Sequence, residues 1–404
     1  MENNSKQLAM IKQIHIILIS TLVLIGCHNT VVHPSFQSSN IEQNKVEHYH
    51  NSFEDYVQRT HSKLKSQRVF VSNDHQKEIN ANLPFQLQPE VTYPKEQTNK
   101  GILLIHGLGD SPWSFVDIGN SLAQKGFLVR TILLDGHGTR PADLISTDYE
   151  TWLQQVDEQV NLLKPKVDEI YLGGFSTGAN IAILNAIDNP DIAGLMLFSP
   201  GIKSSKSLVS LTPVISSLKT WLHSDLSSVS DNYTRYDEVP TNGFAQYYLT
   251  SKATMKALEN KTFDRPTFMV LSEHDSVLDS KSILELFKAS FIHEDSKLVW
   301  FGTNTSAEDE RIVYIDSYKP SLKISNMSHM GVLFSPENPY YGINGEQKIC
   351  DNGQRPSDEE HCLSNGEVWY SGYGYQEANK VHARLTYNPF YMEMINLLSS
   401  TFRL

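Results

Sequence analysis

Apolar and polar positions fall into two rhythms that alternate from residue 100 onward. Short, nearly unbroken apolar runs at 102–105, 127–134, 170–172, 194–198, 267–271 and 297–301 have the length of strands buried on both faces. Between them, apolar residues recur at helical spacing. Ser111 and Pro112 supply a cap and a first-turn proline for a helix that ends near Lys125 and Gly126. Asp148 opens a second helix that Pro165 stops. Residues 179–186 and 280–289 continue the pattern, residues 53–65 predict an N-terminal helix, and Asn388-Pro389 opens a C-terminal one. Strands alternating with helices imply parallel strands joined by crossovers, hence an α/β sheet covered on both faces.

Three stretches depart from this rhythm. At the N-terminus, Lys6 and Lys12 precede an apolar run over 14–25, too short to span a bilayer and of the length of a signal-peptide core. It ends Leu24-Ile25-Gly26-Cys27, which resembles the lipobox of bacterial lipoproteins. That resemblance implies a signal over 1–26 and lipid on Cys27; residues 27–50, polar and without periodicity, predict a flexible tether to a body over 51–404. His28, where an aspartate would signal retention in the inner membrane, points to the cell envelope at the periplasmic side of the outer membrane in a two-membrane host. The second departure, about 201–262, separates two strands by more than a crossover needs. It carries Leu208, Leu211, Val214, Ile215, Leu218, Trp221 and Leu222 at largely helical spacing, then Phe244, Tyr247 and Tyr248. The third, about 302–387, holds an apolar run at 311–315 and two cysteines, Cys350 and Cys362, predicted to bond to each other in an exported protein.

Composition narrows the classes. Apolar residues at 40% and charged residues at 20% fit a globular body. A net charge of -12 disfavours nucleic acid as a partner. No cysteine or histidine cluster has the spacing of a metal or haem site, so neither metal nor cofactor is expected.

The chemistry concentrates in Gly174-Phe-Ser176-Thr-Gly178, set between an apolar run and a helical pattern. A G-x-S-x-G sequence in a strand–turn–helix context is a nucleophile elbow: the turn holds the serine at strained angles with its hydroxyl exposed at the top of a sheet. A serine needs a base and an orienting carboxylate, and both follow in the order this arrangement uses. Asp275 lies in Ser272-Glu-His-Asp-Ser after the strand at 267–271. His329 lies in Asn326-Met-Ser-His-Met-Gly, after a short extended run at 322–324. Asp279 competes with Asp275 but sits where an N-cap of the next helix belongs. His274 follows the wrong strand, and His293, His361 and His382 lie at a helix end or in the third departure. Two backbone donors must stabilise an oxyanion. They are expected from Thr177, after the nucleophile, and from Leu108 in the glycine-rich loop His106-Gly-Leu-Gly-Asp110.

Together with Leu134-Asp-Gly-His-Gly-Thr-Arg-Pro141, Asp143-Leu144 and Trp152, these motifs resemble the monoacylglycerol lipase and bacterial carboxylesterase branch of the α/β-hydrolases, sometimes grouped with serine aminopeptidase-like enzymes. The resemblance spans roughly 100–335. It implies an α/β-hydrolase fold with a helical cap inserted after the strand that follows the elbow, at about 201–262. It also implies structural roles for His106 and His137. The expected activity is serine carboxylesterase or lipase chemistry on a small-molecule or lipid ester, of medium acyl length and monoacylglycerol-like or lysophospholipid-like. Trp221, Leu218, Phe244 and Tyr247 are expected to line the pocket under a mobile cap. Amide hydrolysis or acyl transfer would use the same triad, and a non-catalytic lipoprotein adaptor is the reading from another class. The long interval between Asp275 and His329 and the cysteine-bearing segment depart from the family pattern.

Overall fold

A computed structural model describes residues 32–38, 50–90, 99–223, 225–303 and 309–404. The signal segment, Cys27 and most of the tether lie outside the described residues. Ten strands are β1 Gln86–Leu87, β2 Lys100–Ile105, β3 Phe127–Ile132, β4 Glu169–Phe175, β5 Ile192–Phe198, β6 Thr267–Ser272, β7 Lys297–Phe301, β8 Ile312–Ile315, β9 Trp369–Ser371 and β10 His382–Arg384. The principal helices are α1 Phe53–Gln67, α2 His75–Asn82, α3 Val116–Gln124, α4 Tyr149–Leu163, α5 Thr177–Ala186, α6 Thr241–Asn260, α7 Ser280–Ser290, α8 Pro356–Leu363 and α9 Tyr391–Thr401.

Eight strands form one sheet in the order β1-β3-β2-β4-β5-β6-β7-β8, parallel throughout except for the two-residue β1. Alternation sorts the side chains of each strand between two layers: on β2, Leu103 and Ile105 face the layer of α4, α5 and α7, while Ile102 and Leu104 face that of α3 and α9. β2 lies between β3 and β4, so the chain turns back on itself there, and the loops leaving β2 and β4 open a crevice at their carboxyl ends.

The expected helix starts are present. Asp148 caps α4 through Thr151 N, Asp279 caps α7 through Ser282 N, and Ser111 accepts from Trp113 N ahead of α3. Other expectations need correction. Residues 311–315 do not belong to an excursion outside the sheet, because β8 pairs in parallel with β7 and forms the sheet edge. Residues 322–324 are not an extended lead to His329. They form the end of a single 3₁₀ turn with Lys323 in the left-handed region, and Ile324 makes only isolated bridges.

The apolar pattern over 208–222 does not make one helix. It gives a 3₁₀ turn, Ser207–Leu211, and one helical turn, Thr212–Ile215. Pro213 removes a donor, and the hydroxyls of Ser210, Thr212, Ser216 and Ser217 each bond a carbonyl three residues back, competing for the groups a helix would use. The long helix of this region is α6. Residues 33–36, within the stretch read as a free tether, lie on the body. His33 N donates to Leu226 O at 2.8 Å, and buried Phe36 meets Trp221 edge-on at 5.0 Å between centroids.

Candidate active site

Ser176 stands between the end of β4 and the start of α5, at φ 53° and ψ -115°. Such angles are costly for a residue with a Cβ and persist only where the surroundings enforce them. Here two glycines allow strand and helix to come close enough. A Cβ on Gly178 would overlap the carbonyl oxygens of Ile105 and His106, and one on Gly174 would overlap the backbone of Gly178. The turn is held by Ser176 N donating to Phe198 O at 3.0 Å, and by Gly201 N donating to Ser176 O at 2.9 Å.

The same strand end holds the histidine. Ser199, next to Phe198 and itself at φ 42°, donates its hydroxyl to His329 O at 3.0 Å. Thus Ser176 and His329 are both tied to the consecutive residues Phe198 and Ser199 at the tip of β5. The Phe175 ring lies 5.0 Å from the imidazole. His329 Nδ1 donates to Asp275 Oδ2 at 2.6 Å, and the other carboxylate oxygen accepts from Val277 N at 2.8 Å and Leu278 N at 3.1 Å. The Asp275 side chain is fully buried. This arrangement fixes the tautomer that leaves Nε2 as the acceptor. Ser176 Oγ makes no hydrogen bond among the described residues; catalytic contacts of this kind commonly close only with substrate bound. Asp279, the alternative acid, is occupied by the α7 cap and by Lys203 at 3.0 Å.

The glycine-rich loop after β2 is fixed by a reciprocal pair of histidines. His106, on that loop, accepts from Leu134 N at 3.1 Å through Nε2. His137, on the loop after β3, accepts from Gly109 N at 3.0 Å through its own Nε2. Their Nδ1 atoms donate to Gly107 O and Asp135 O, and the rings pack edge to face at 4.7 Å. Both must be neutral to accept. Burial holds His106 well below its ordinary value and brings His137 down to about 4. Trp152 donates to Asp135 O at 3.0 Å and closes the same loop. With Gly109 N bound to His137 and Asp110 N bound to Gly107 O, the Leu108 amide just before them makes no hydrogen bond among the described residues. Thr177 is the first residue of α5, where amides have no partner within the helix.

The candidate pocket residues divide. Tyr247, on α6, belongs beside Ser176: a Cβ on Gly201 would come 2.9 Å from its Cε2 and 3.1 Å from the Ser176 carbonyl. Burial first, and then the Asp275 charge, push its phenol pKa up. Phe244 lies on the same helix, half-buried, next to Gly243, whose Cβ would be 3.4 Å from Leu108 Cδ1. Leu218 is not buried in a pocket; it is 83% exposed, beyond the point where Pro213 and the serines end the helical turn. Trp221 is turned to Phe36 instead. Two charged residues near the site were not anticipated. Asp110 is buried within electrostatic reach of His329, and desolvation raises its carboxyl while Arg235, 3.9 Å away, opposes that. The sequence offered a signal for Asp110, at the end of the glycine-rich loop, but none for Arg235.

A strained serine on a strand–helix turn, a buried carboxylate–histidine pair and a histidine-clasped glycine loop define an α/β-hydrolase. The family profile described as "Serine aminopeptidase, S33" matches residues 96–301, and the chain belongs to that family. Among curated relatives, the chain is 27% identical over 184 residues to a thermostable monoacylglycerol lipase of Bacillus sp. (strain H-257), covering 44% of this chain and 71% of that protein. It is 23% identical over 251 residues to a carboxylesterase of Bacillus subtilis (strain 168), covering 57% and 97%. A solved monoacylglycerol lipase of Paleococcus ferrophilus is 18% identical over 54% of this chain and 87% of its own, with a TM-score of 0.42.

Proposed function

We propose that this chain is a serine ester hydrolase acting through Ser176, His329 and Asp275. The observation that carries the reading is the 2.6 Å His329–Asp275 contact, bound to the same strand tip as the strained serine. In the proposed cycle Ser176 Oγ attacks the acyl carbon and His329 Nε2 takes its proton. The amides of Leu108 and Thr177 receive the oxyanion, and His329 returns the proton to the departing alcohol. A water deprotonated by the same imidazole then releases the acid and regenerates the serine. Asp275 stays ionised and stabilises the imidazolium.

The proposed substrate is a carboxylic ester of lipid-like character, in keeping with the monoacylglycerol lipase and carboxylesterase among the Bacillus relatives. The aromatic rings of Tyr247 and Phe175 near the serine supply apolar contact for an acyl or alkyl chain. We further propose lipid attachment at Cys27 and a place in the bacterial cell envelope. The family's description as a serine aminopeptidase favours a second reading, amide hydrolysis by the same residues.

A fluorophosphonate probe should label wild-type protein and not Ser176→Ala. p-Nitrophenyl esters of graded acyl length, run beside aminoacyl p-nitroanilides, separate the two readings. Turnover of the anilides alone would replace the ester proposal, and equal labelling of the Ser176→Ala variant would end both.

A further inference from the structure

A run of exposed aliphatic side chains, a ridge on which nothing packs among the described residues, stands beside the site. Leu208, Leu211, Val214, Leu218 and Leu222 are between 47% and 83% exposed. Isolated exposed aliphatics are ordinary, but five within one short segment are not. Residues 207–218 contain no charged side chain, and Lys206 and Lys219 bracket them. Both ends of the segment are fastened next to the catalytic loops. Ser205 N donates to Val277 O at 2.9 Å, two residues beyond Asp275. Thr220 O accepts from Thr241 N at 2.8 Å, at the start of the helix whose Gly243 adjoins Leu108. The ridge therefore borders the mouth of the active site.

The N-terminal segment reaches the same place from the other side. His33 accepts from Ser35 N and caps the turn Pro34–Phe36, His33 N binds Leu226 O, and Phe36 is buried against Trp221, one residue from Leu222. Cys27 is five residues before Val32. His33, the first residue bonded to the cap, follows one step later, and six extended steps of 3.8 Å reach at most about 23 Å.

We infer that this ridge is a bilayer-docking surface, and that residues 33–36 clamp the lipid-bearing N-terminus to it so that anchor and ridge enter one leaflet with the catalytic mouth facing the lipid. The inference rests on the Cys27 anchor and the ester-hydrolase reading proposed above. A bilayer is the occupant chosen because the bracketing lysines suit headgroups, the aliphatics suit acyl chains and the tether is too short to carry the ridge far from its anchor.

The test uses vesicles of phosphatidylethanolamine and phosphatidylglycerol. The mature chain from residue 27 with Cys27→Ser, expressed without the apolar segment over 14–25 and so without the anchor, should sediment with them. Leu208→Asp/Val214→Asp in that background should bind at least about tenfold less, since the aspartates withdraw two aliphatic side chains from hydrocarbon, while turnover of p-nitrophenyl acetate is unchanged. In lipidated protein, an environment-sensitive fluorophore at Ser217→Cys should be quenched by doxyl-labelled lipid. The same fluorophore at Ser357→Cys, an exposed position on α8, should not be. Equal vesicle binding by parent and double variant, or equal quenching at the two positions, would overturn the inference. So would a solution dimer that the double variant disperses without any change in vesicle binding. Incorporation of a fatty-acid analogue by wild type and not by Cys27→Ser tests the anchor, and acetate turnover tests the hydrolase, independently of the vesicle result.

Discussion

Acid is the perturbation that acts most directly on the histidine clasp around the glycine-rich loop. His137 is buried and accepts from Gly109 N, so the folded state holds it neutral, with its pKa down to about 4 against an ordinary 6.5. Between those values the unfolded chain binds a proton that the folded chain refuses, so stability rises with pH across this window. The contribution is complete above about pH 6.5 and is withdrawn as pH falls from there through about 4. At pH 4.5 the linkage relation gives a loss of about 2.5 kcal/mol from His137 alone. His106, also depressed by burial, adds to the loss with the same sign. The assay is urea unfolding followed by tryptophan fluorescence at pH 7 and pH 4.5, for wild type and His137→Gln. Glutamine keeps an acceptor near Gly109 but does not titrate. The variant should be less stable at pH 7, because the ring packs on His106, Trp152 and Tyr236. Its stability should nevertheless fall by about 2.5 kcal/mol less than that of wild type between the two pH values. Parallel losses in the two proteins would refute the argument, since titrating groups remote from the clasp cancel in the comparison.

Asp275→Asn should lower kcat by about four orders of magnitude through loss of the correct histidine tautomer. Asp279→Asn should keep activity within a few-fold, because asparagine caps a helix as well as aspartate does; the reverse ranking in ester kinetics would exchange their roles. Glu78 is fully buried and accepts from Arg68 Nε at 2.8 Å, Val71 N at 3.0 Å and Ser72 N at 2.6 Å. Glu78→Ala should therefore cost about 3–5 kcal/mol in denaturant unfolding by stranding the arginine, and a change under about 0.5 kcal/mol would mean that Arg68 finds another partner. Cys350 and Cys362 are bonded across a separation of 12 residues. Replacing both by serine should cost about 2–3 kcal/mol on the loop-entropy model and expose amides of α8 to hydrogen exchange, and an unchanged exchange pattern there would contradict this.

Much of the framework is legible because it rests on strong local signals. The buried strands read as apolar runs, and the caps at Asp148, Asp279 and Ser111 read directly from the letters. The elbow is legible because Gly174 and Gly178 are required by the approach of backbones rather than by packing. The long helix α6 is not legible, for a physical reason. Its buried face is made largely of Thr241, Gly243, Gln246, Thr250, Ser251 and Thr254, small or polar residues that a hydrophobic pattern passes over. Asn180, which donates to Thr250 Oγ1 at 3.1 Å and to Gly201 O at 2.9 Å, shows how such a face is held: by hydrogen bonds as well as by aliphatic burial. The opposite error arises over 208–222, where helical spacing of leucines meets Pro213 and four hydroxyls that compete for the backbone. Arg235 has no local motif, and its place near Asp110 depends on segments brought together only by the fold.

The loop that carries His329 is fastened by chain far downstream of it. Ser325 N binds Tyr370 O at 2.9 Å, Asn326 Oδ1 accepts from Gly372 N at 2.8 Å, and the Ser328 hydroxyl binds Leu385 O. These partners lie on and beside β9 and β10, beyond the cysteine pair. A chain ending at residue 330 holds Ser176, Asp275 and His329, yet its histidine lacks the framework that aims it. On the proposed mechanism, activity therefore awaits the segment 370–385 that fastens this loop. A truncated or proteolytically nicked product ending before residue 369 should be silent toward ester even with its serine, histidine and aspartate intact, and turnover by such a fragment would show that the downstream fastening is dispensable.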